Sequence, residues 1–466
     1  MSARKDTAPG TGPTADGVPA GGGLRPSPQL KVDALLDDPN TRIVVCCGAG
    51  GVGKTTTAAA LGLRAAERGR RVVVLTIDPA RRLAQSMGID SLDNTPRPVT
   101  GVSGPGELHA MMLDMKRTFD EFVEAHADPE RAAAILANPF YQSLSAGFAG
   151  TQEYMAMEKL GQLRAAEDWD LIVVDTPPSR SALDFLDAPT RLGSFLDGTF
   201  IRVLSAPAKV GGRAGLKFLN VGMSLVTGTL SKVMGGRLLA DVQTFVAAMD
   251  TMFGGFRTRA DATYRLLQAP GTAFLVVAAP EPDALREAAY FVERLAEDRM
   301  PLAGLVLNRV QESGAPGLTA ERAAAAAENL DETGIVDQGT GNTAPRGVDR
   351  AASESPSPGP DERTGSTPDP SPEDEPAHEH AHDGITAGLL RLHADRMNLI
   401  ARQRRTRERF TTRHPEVAVA EVAALPGDVH DLDGLRTIGE RLADAAGSRR
   451  QGREPETDGA DRADED

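Results

Sequence analysis

The sequence has very little cysteine. Its 466 residues include only two cysteines, Cys46 and Cys47, which are adjacent. Neighbouring residues of a strand point to opposite faces, so these two are not expected to form a disulfide, and the chain offers no other partner. Persistent disulfides are typical of oxidising compartments. The cysteine content therefore predicts a reducing, cytoplasmic location.

Positive charge and long hydrophobic runs are also in short supply. The 51 Lys and Arg residues are outnumbered by 66 Asp and Glu residues, which gives a net charge of −15. Nucleic-acid binding needs a basic surface, so no nucleic-acid partner is expected. The best candidate for a membrane span, 218–236, contains Lys232 and several glycines and falls short of the roughly 18 uninterrupted apolar residues that a spanning helix needs. We expect no transmembrane segment and no signal peptide.

Three segments lack apolar periodicity and are predicted to be disordered. Residues 1–38 are rich in Gly, Pro, Ala and Thr. Residues 331–384 hold eight of the 32 prolines and no aromatic residue. They are predicted to be an acidic, proline-rich linker, because a compact domain rarely contains so long a structureless loop. Residues 448–466 form a similar tail.

Between these segments, short apolar runs alternate with helical patterns. Short, nearly continuous apolar runs are typical of parallel strands that are covered on both faces. Helices such as 54–68 and 282–298 would provide the crossover connections. The pattern predicts a doubly wound, mainly parallel α/β sheet. The predicted strands are 42–47, 71–77, 171–175, 273–279, 302–308 and 417–422.

The predicted α/β domain covers 39–330 and resumes at 385–447, after the linker. Its interval from about 190 to 268 has no convincing strand and is predicted to be a helical insertion. The linker would interrupt the domain before its last strand without dividing it in two.

A glycine-rich loop follows the first predicted strand and leads into a helix. Residues 48–55 read GAGGVGKT and match the phosphate-binding pattern G-x-x-x-x-G-K-[ST]. Glycines let backbone N–H groups surround phosphate oxygens, Lys54 is expected to reach the β- and γ-phosphates, and Thr55 to bind Mg²⁺. A purely structural turn would not need the strand, helix and threonine together, so we predict a fold of the P-loop NTPase type. The predicted nucleotide contacts are Gly48, Gly50, Gly51, Val52, Gly53, Lys54, Thr55 and Thr56.

Two aspartates end other predicted strands. Asp175 closes LIVVD, where a carboxylate beside the loop can orient Mg²⁺ through water. Asp78 follows VVVLTI, a position that suits a residue orienting the attacking water. Each aspartate also has a structural alternative, as a turn-forming Asp-Pro or as a helix cap.

The segments GAGGVGKTT, TIDPARRL and VVDTPPS together resemble the ArsA-type ATPases, the family of the arsenite-pump ATPase and the tail-anchored-protein targeting ATPase. The resemblance runs from about 40 to 330 and from about 385 to 445. It implies that Asp78 lies in switch I and that Asp175 opens switch II, both acting in catalysis with Lys54. It also implies that Asn308 contacts adenine and that Pro426 and Gly427 belong to the loop beside the base. The family is dimeric, with two phosphate loops facing each other.

Three departures from the family pattern limit this resemblance. Ala49 replaces the signature lysine, which in the family crosses the dimer interface to the partner's phosphates. The cysteines that serve the family in metalloid or zinc binding have no counterpart here, since both thiols precede the loop. Switch II lacks the histidine that relatives often have near Ser181.

Two weaker signals leave alternatives open. His378, His380 and His382 alternate within the predicted linker. They could bind a transition metal, but the linker offers no framework to fix the geometry of a metal site. The interval 218–256 carries four methionines among apolar residues. It could be a groove for apolar clients or, more simply, a helical subdomain packing its own core.

These observations predict a Mg²⁺-dependent ATPase of the ArsA type that works in the cytoplasm as a nucleotide-gated dimer. ATP and Mg²⁺ are the expected ligands. Ala49 and the family's dimeric habit suggest a heterodimer with a lysine-bearing paralogue. The alternatives are a regulatory nucleotide-binding subunit with low turnover and a targeting chaperone for apolar segments.

Overall fold

The computed structural model describes residues 27–77, 82–89, 92–139, 141–142, 151–177, 258–259, 261–336 and 375–444. Asp78, residues 190–257 of the predicted helical insertion and the predicted tail at 448–466 lie outside these described residues.

The central element is an eight-stranded sheet. Its strands are β1 (Ile43–Cys47), β2 (Arg71–Thr76), β3 (Arg97–Pro98), β4 (Glu107–Met112), β5 (Leu171–Asp175), β6 (Thr272–Ala278), β7 (Leu302–Val310) and β8 (Val419–Ala423). They lie in the order β3-β4-β2-β5-β1-β6-β7-β8. All neighbours are parallel except β3 and β4. The predicted mainly parallel α/β fold is confirmed.

Helices connect the strands. The labelled helices are α1 (Val32–Asp37), α2 (Lys54–Glu67), α3 (Arg82–Ser86), α4 (Met115–His126), α5 (Pro129–Leu136), α6 (Thr151–Ala165), α7 (Pro282–Glu297), α8 (Ala320–Val336), α9 (Glu375–Arg413) and α10 (Leu432–Asp444). Residues 261–268, the end of the predicted insertion, are also helical. None of the described helices is long and apolar enough to cross a lipid bilayer.

Apolar side chains cover both faces of the sheet. In one buried cluster, α2 contributes Leu61 and α10 contributes Leu435. In the other, α4 contributes Phe122 and α7 contributes Phe291. Alternate residues of β1 belong to the two clusters, as expected for a strand buried on both sides.

All six predicted strands are present, with ends shifted by no more than two residues, but β3 and β4 were not predicted. In β4, the sequence ELHAMM contains no β-branched residue. It begins with Glu107, and His109 interrupts its apolar residues. Pairing with β2 along its whole length, from Arg71 opposite Glu107 to Thr76 opposite Met112, supplies the hydrogen bonds that stabilise this strand. Tertiary pairing outweighs weak local propensity here.

The predicted disorder of 1–38 is wrong for its last residues. The Leu30 N–H donates to the Val419 carbonyl at 3.2 Å, next to the edge strand β8. Val32 and Leu36, one helical turn apart on α1, are buried. Burial of this short apolar face orders a segment whose composition alone suggested disorder.

The predicted linker also differs at both ends. Helix α8 continues to Val336 and α9 begins at Glu375, so only 337–374 remain between them, outside the described residues. Ala327 of α8 and Ala387 of α9 are fully buried. An ion pair between Asp331 and Arg391 also links the two helices. Packing between α8 and α9 therefore extends helical structure into a sequence with little apolar periodicity.

Candidate nucleotide-binding site

The glycine-rich loop connects β1 to α2, and two of its glycines have geometric reasons to be glycine. Gly48 has a φ of +147°, and a Cβ there would lie 2.1 Å from the Val277 carbonyl oxygen. Gly53 has a φ of +94°, and a Cβ there would lie 2.3 Å from Nδ2 of Asn308. The loop lies so close to β6 and β7 that any side chain would clash at either position.

Lys54 is the first residue of α2 and is folded back over the loop. Its side chain is buried, with 6% of the residue exposed, and Nζ donates a hydrogen bond to the Ala49 carbonyl oxygen at 2.8 Å. The first N–H groups of a helix have no intrahelical acceptor, so the start of α2 offers donors to an anion. An ammonium and these N–H groups together form an arrangement suited to phosphate oxygens.

Asp175 lies beside the loop because β5 is the neighbour of β1. Its carboxylate is fully buried at the carboxyl end of β5. Oδ2 accepts hydrogen bonds from Oγ1 of Thr55 at 2.7 Å and from Oγ1 of Thr76 at 2.9 Å. Thr76 ends β2, the other neighbour of β5. The sequence predicted Thr55 and Asp175 at one Mg²⁺ site, but it predicted neither their direct hydrogen bond nor the contribution of Thr76.

The oxygen atoms of Thr55 and Asp175 fit the requirements of Mg²⁺. Magnesium prefers oxygen ligands and takes only one or two of them from a protein, leaving the other positions to phosphate and water. The described residues contain no group of three or more His, Cys, Asp and Glu side chains that could hold a metal ion.

The two thiols beside the site are poor metal ligands. Burial raises the pKa of Cys46 well above its ordinary value, and the neighbouring Asp175 carboxylate raises it further. Burial likewise raises the pKa of Cys47 to about 12. Both thiols therefore remain protonated at neutral pH, and soft metals and metalloids bind the thiolate rather than the thiol.

A cavity of about 780 Å³ extends from the loop along the carboxyl ends of β7 and β8. Gly53, Thr55 and Thr56 line its phosphate end. Asn308, at the end of β7, also lines it and donates from Nδ2 to the Val52 carbonyl oxygen at 2.8 Å. Pro426 and Gly427, in the loop after β8, complete the residues predicted to lie near the base. The structure thus brings the two predicted halves of the site into one cavity of ligand size.

Arg309 also lines this cavity and was missed in the sequence. Its neighbour Asn308 was recognised by family resemblance, but a single arginine after a strand carries no distinctive pattern. Asp78, the predicted water-orienting residue, lies outside the described residues.

A parallel α/β sheet with a GxxxxGKT loop at the carboxyl end of a central strand defines a protein of the P-loop NTPase class. Comparison with known families then gives the particular group. The family described as anion-transporting ATPase, ArsA-type, matches residues 41–325, which is more than half of the chain. This chain belongs to that family.

Individual relatives are more distant. The ATPase GET3 of Malassezia globosa is 31% identical over 158 residues, covering 34% of this chain and 45% of that protein. The ATPase ARSA2 of Chlamydomonas reinhardtii is 26% identical over 287 residues, covering 61% of this chain and 72% of that protein. An ATPase ASNA1 homologue of Cryptosporidium parvum is 26% identical over 264 residues, covering 56% of this chain and 63% of that protein. The matched region is thus less than half of the first relative and about two thirds of the others.

Proposed function

We propose that this protein is a Mg²⁺-dependent ATPase of the ArsA type. The observation that carries the proposal is the contact between Thr55 of the phosphate loop and the buried Asp175 carboxylate, 2.7 Å apart, beside the inward-facing Lys54. A loop that only made a structural turn would not require a buried carboxylate, a hydroxyl and an ammonium at one end of the sheet.

Each of these side chains has a defined role in the proposed reaction. Lys54 exchanges its hydrogen bond to the Ala49 carbonyl oxygen for oxygens of the β- and γ-phosphates, and so neutralises charge in the transition state. Thr55 would bind Mg²⁺ directly and Asp175 through water. The metal, when bound, supplies positive charge to the phosphate oxygens. Asp78, assigned by family resemblance, would orient the attacking water.

Nucleotide state would be transmitted by the segments that carry the two aspartates. Asp175 is held at the end of β5 by two threonine hydroxyls, so the chain leaving this strand starts from a fixed point. ATP would order the following segments through the γ-phosphate and Mg²⁺, and hydrolysis would release them. We propose that this change acts on a partner or client in the cytoplasm.

The dimeric habit of the family and Ala49 together favour a heterodimer. Its methyl group belongs to the buried core, with 7% of the residue exposed, and offers no charge to a facing site. In a heterodimer, a paralogue with lysine at this position would complete the site of this chain. A cation supplied in trans can raise phosphoryl-transfer rates by roughly 10³-fold or more.

Measuring ATP hydrolysis by this chain, by a lysine-bearing paralogue and by their mixture tests the proposal. We expect slow turnover by this chain alone and a rate for the mixture well above the sum of the two. The Ala49→Lys variant should partly replace the paralogue if the chain pairs with itself, whereas the Ala49→Met variant, of similar length but uncharged, should not. Equal rates for the wild-type chain and the mixture would contradict the assembly with a paralogue.

Two alternatives share the same nucleotide site. Ala49 also suits a regulatory subunit that binds ATP without turning it over. The resemblance to the tail-anchored-protein targeting ATPase suggests a chaperone for apolar segments, although the methionine-rich interval lies outside the described residues. Purifying the protein from its own cell and identifying what accompanies it separates the chaperone from the other two roles. A membrane-protein client favours the chaperone, and a paralogue alone favours the regulatory subunit or the ATPase, which the hydrolysis rates then distinguish.

A further inference from the structure

Arg309 has an unusual backbone conformation for its position in the fold. Among the described non-glycine residues, three have left-handed φ values: Glu167 at 55°, Arg299 at 55° and Arg309 at 62°. Glu167 and Arg299 lie just beyond the ends of α6 and α7, where left-handed residues commonly terminate helices. Arg309 lies within β7, so helix termination does not explain its conformation.

A bulge produces this conformation. The register between β7 and β8 shifts between Asn308 and Val310, which leaves Arg309 as the extra residue. Its N–H donates to Oδ1 of Asn308 at 3.0 Å. Bulges of this kind re-aim a side chain, and strained residues cluster at functional sites.

The re-aimed side chain lines the nucleotide cavity. Arg309 is exposed and lines this cavity together with Asn308, Pro426 and Gly427. Within the described part of the chain, the guanidinium forms no ion pair. A guanidinium that lines the cavity without an ion pair can offer its charge to a ligand there.

The composition of this wall makes a planar cation useful. Among the described residues that line the cavity, none is Phe, Tyr or Trp. The planar groups that could stack on a base are the guanidinium of Arg309 and the imidazole of His430. A guanidinium over the face of an aromatic ring is attracted by the ring electrons, and arginine is the side chain that most often makes this contact.

We propose that Arg309 is a nucleotide-binding residue that packs its guanidinium against the purine base. The proposal rests on the proposed ATPase function, in which the phosphates lie at Lys54 and Thr55. Arg309 directly follows Asn308 and lines the cavity together with Pro426 and Gly427, which the family resemblance places beside the base, so the base is the part of the nucleotide expected to reach Arg309. The left-handed conformation would then be retained because it presents the guanidinium to the base.

The test compares Arg309→Gly with the matched variant Arg299→Gly. Both changes remove an exposed arginine and replace a left-handed residue by glycine. Arg299, however, precedes the amino end of β7, whereas Arg309 lies near the carboxyl end of this strand. The affinities of ATP, ADP and inorganic tripolyphosphate are measured with Mg²⁺, together with the melting temperature of the ligand-free protein. The Lys54→Ala variant reports separately on the phosphate end.

For Arg309→Gly we expect ATP and ADP to bind roughly 3- to 30-fold more weakly, the range of a cation–π contact. Tripolyphosphate affinity should be unchanged, and the melting temperature should not fall, because glycine adopts the left-handed conformation without strain. Arg299→Gly should leave all three affinities unchanged. In Arg309→Lys, which keeps the cation, ATP affinity should lie between those of the wild type and Arg309→Gly.

Three results would overturn the assignment. Unchanged ATP affinity in Arg309→Gly, with binding lost in Lys54→Ala, would reject Arg309 and leave the proposed function standing. Equal weakening of tripolyphosphate and ATP would place the arginine on the phosphates instead of the base. A clear fall in melting temperature would show that Arg309 is a structural residue. Failure of the wild-type chain to bind ATP would instead reject the proposed function itself.

Discussion

At the phosphate end of the site, Ala49, Lys54 and Thr55 come from one short stretch of chain, whereas at the base end Asn308 and Gly427 come from separate strand ends. The buried charged groups, Lys54 and Asp175, lie at the phosphate end, whereas Gly427 of the base end is exposed. Removing a partner from a buried charged group costs far more than removing an exposed contact. The comparison teaches that substitutions at the two ends should differ in the size and in the kind of their effects.

The largest effect is expected from Lys54→Ala. The variant removes the ammonium that lies over the phosphate loop, so binding of both ATP and tripolyphosphate should be lost together with hydrolysis. Lys116→Ala, which removes an exposed lysine from α4, serves as the control and should behave as the wild type. Unchanged ATP hydrolysis in Lys54→Ala would contradict the site assignment.

A somewhat smaller effect is expected from Asp175→Asn. The amide keeps the shape of the carboxylate but removes the charge that is proposed to orient Mg²⁺ through water, and groups that act behind a metal ligand typically contribute roughly 10- to 100-fold in activity or metal affinity. Hydrolysis measured across a range of Mg²⁺ concentrations should show a reduced rate and half-maximal activity at a higher Mg²⁺ concentration.

Thr76→Val is the matched control for Asp175→Asn. It removes one hydrogen bond to Oδ2 of Asp175 and leaves the carboxylate charge in place. Its effect on the Mg²⁺ dependence should be smaller. If Thr76→Val matched Asp175→Asn in every measurement, the threonine contact rather than the charge would determine activity.

At the base end, Asn308→Ala should weaken ATP binding by about tenfold or less. The family resemblance assigns to this side chain a contact with adenine, and one hydrogen bond typically contributes about 1 kcal/mol. The bond from its Nδ2 to the Val52 carbonyl oxygen, at 2.8 Å, would be lost as well. Titrations with ATP and tripolyphosphate compare the two ends directly, and the ATP affinity should fall by the larger factor. A larger loss for tripolyphosphate would show that Asn308 acts mainly by holding the phosphate loop.

The smallest effect is expected from replacing 337–374 by a short glycine-serine linker. This segment contains few apolar residues to bury, and closure entropy changes only slowly with the length of a connection. ATP affinity and melting temperature should therefore remain close to those of the wild type.

Deleting all of 331–384 provides the contrast. That deletion also removes the end of α8 with Asp331, which pairs with Arg391, and the beginning of α9. We expect a lower melting temperature for this longer deletion alone. An equally large fall for the shorter replacement would show that 337–374 contributes to the folded core.

Much of the fold could be predicted because its signals are local. The runs around Val44 and Val173 are buried on both faces, and such strands are recognisable from their continuous apolar character. By contrast, Glu107 and His109 give β4 no such pattern, and its place between β2 and β3 depends on pairing with residues distant in sequence. The ordered end of the N-terminal segment was missed for the same reason, since Leu30 is fixed by β8.

The sequence by itself predicted the residues proposed for the phosphate end: a glycine-rich loop after a strand, a lysine at the start of a helix and a threonine after it. These residues are adjacent in the chain, and their function depends on local backbone conformation. Only the tertiary structure decided which distant residues join them. The order β2-β5-β1 places Thr76 against Asp175, and the bulge beside β8 turns Arg309 toward the cavity. Strand order and register depend on contacts summed over the whole sheet, and no short stretch of sequence contains them.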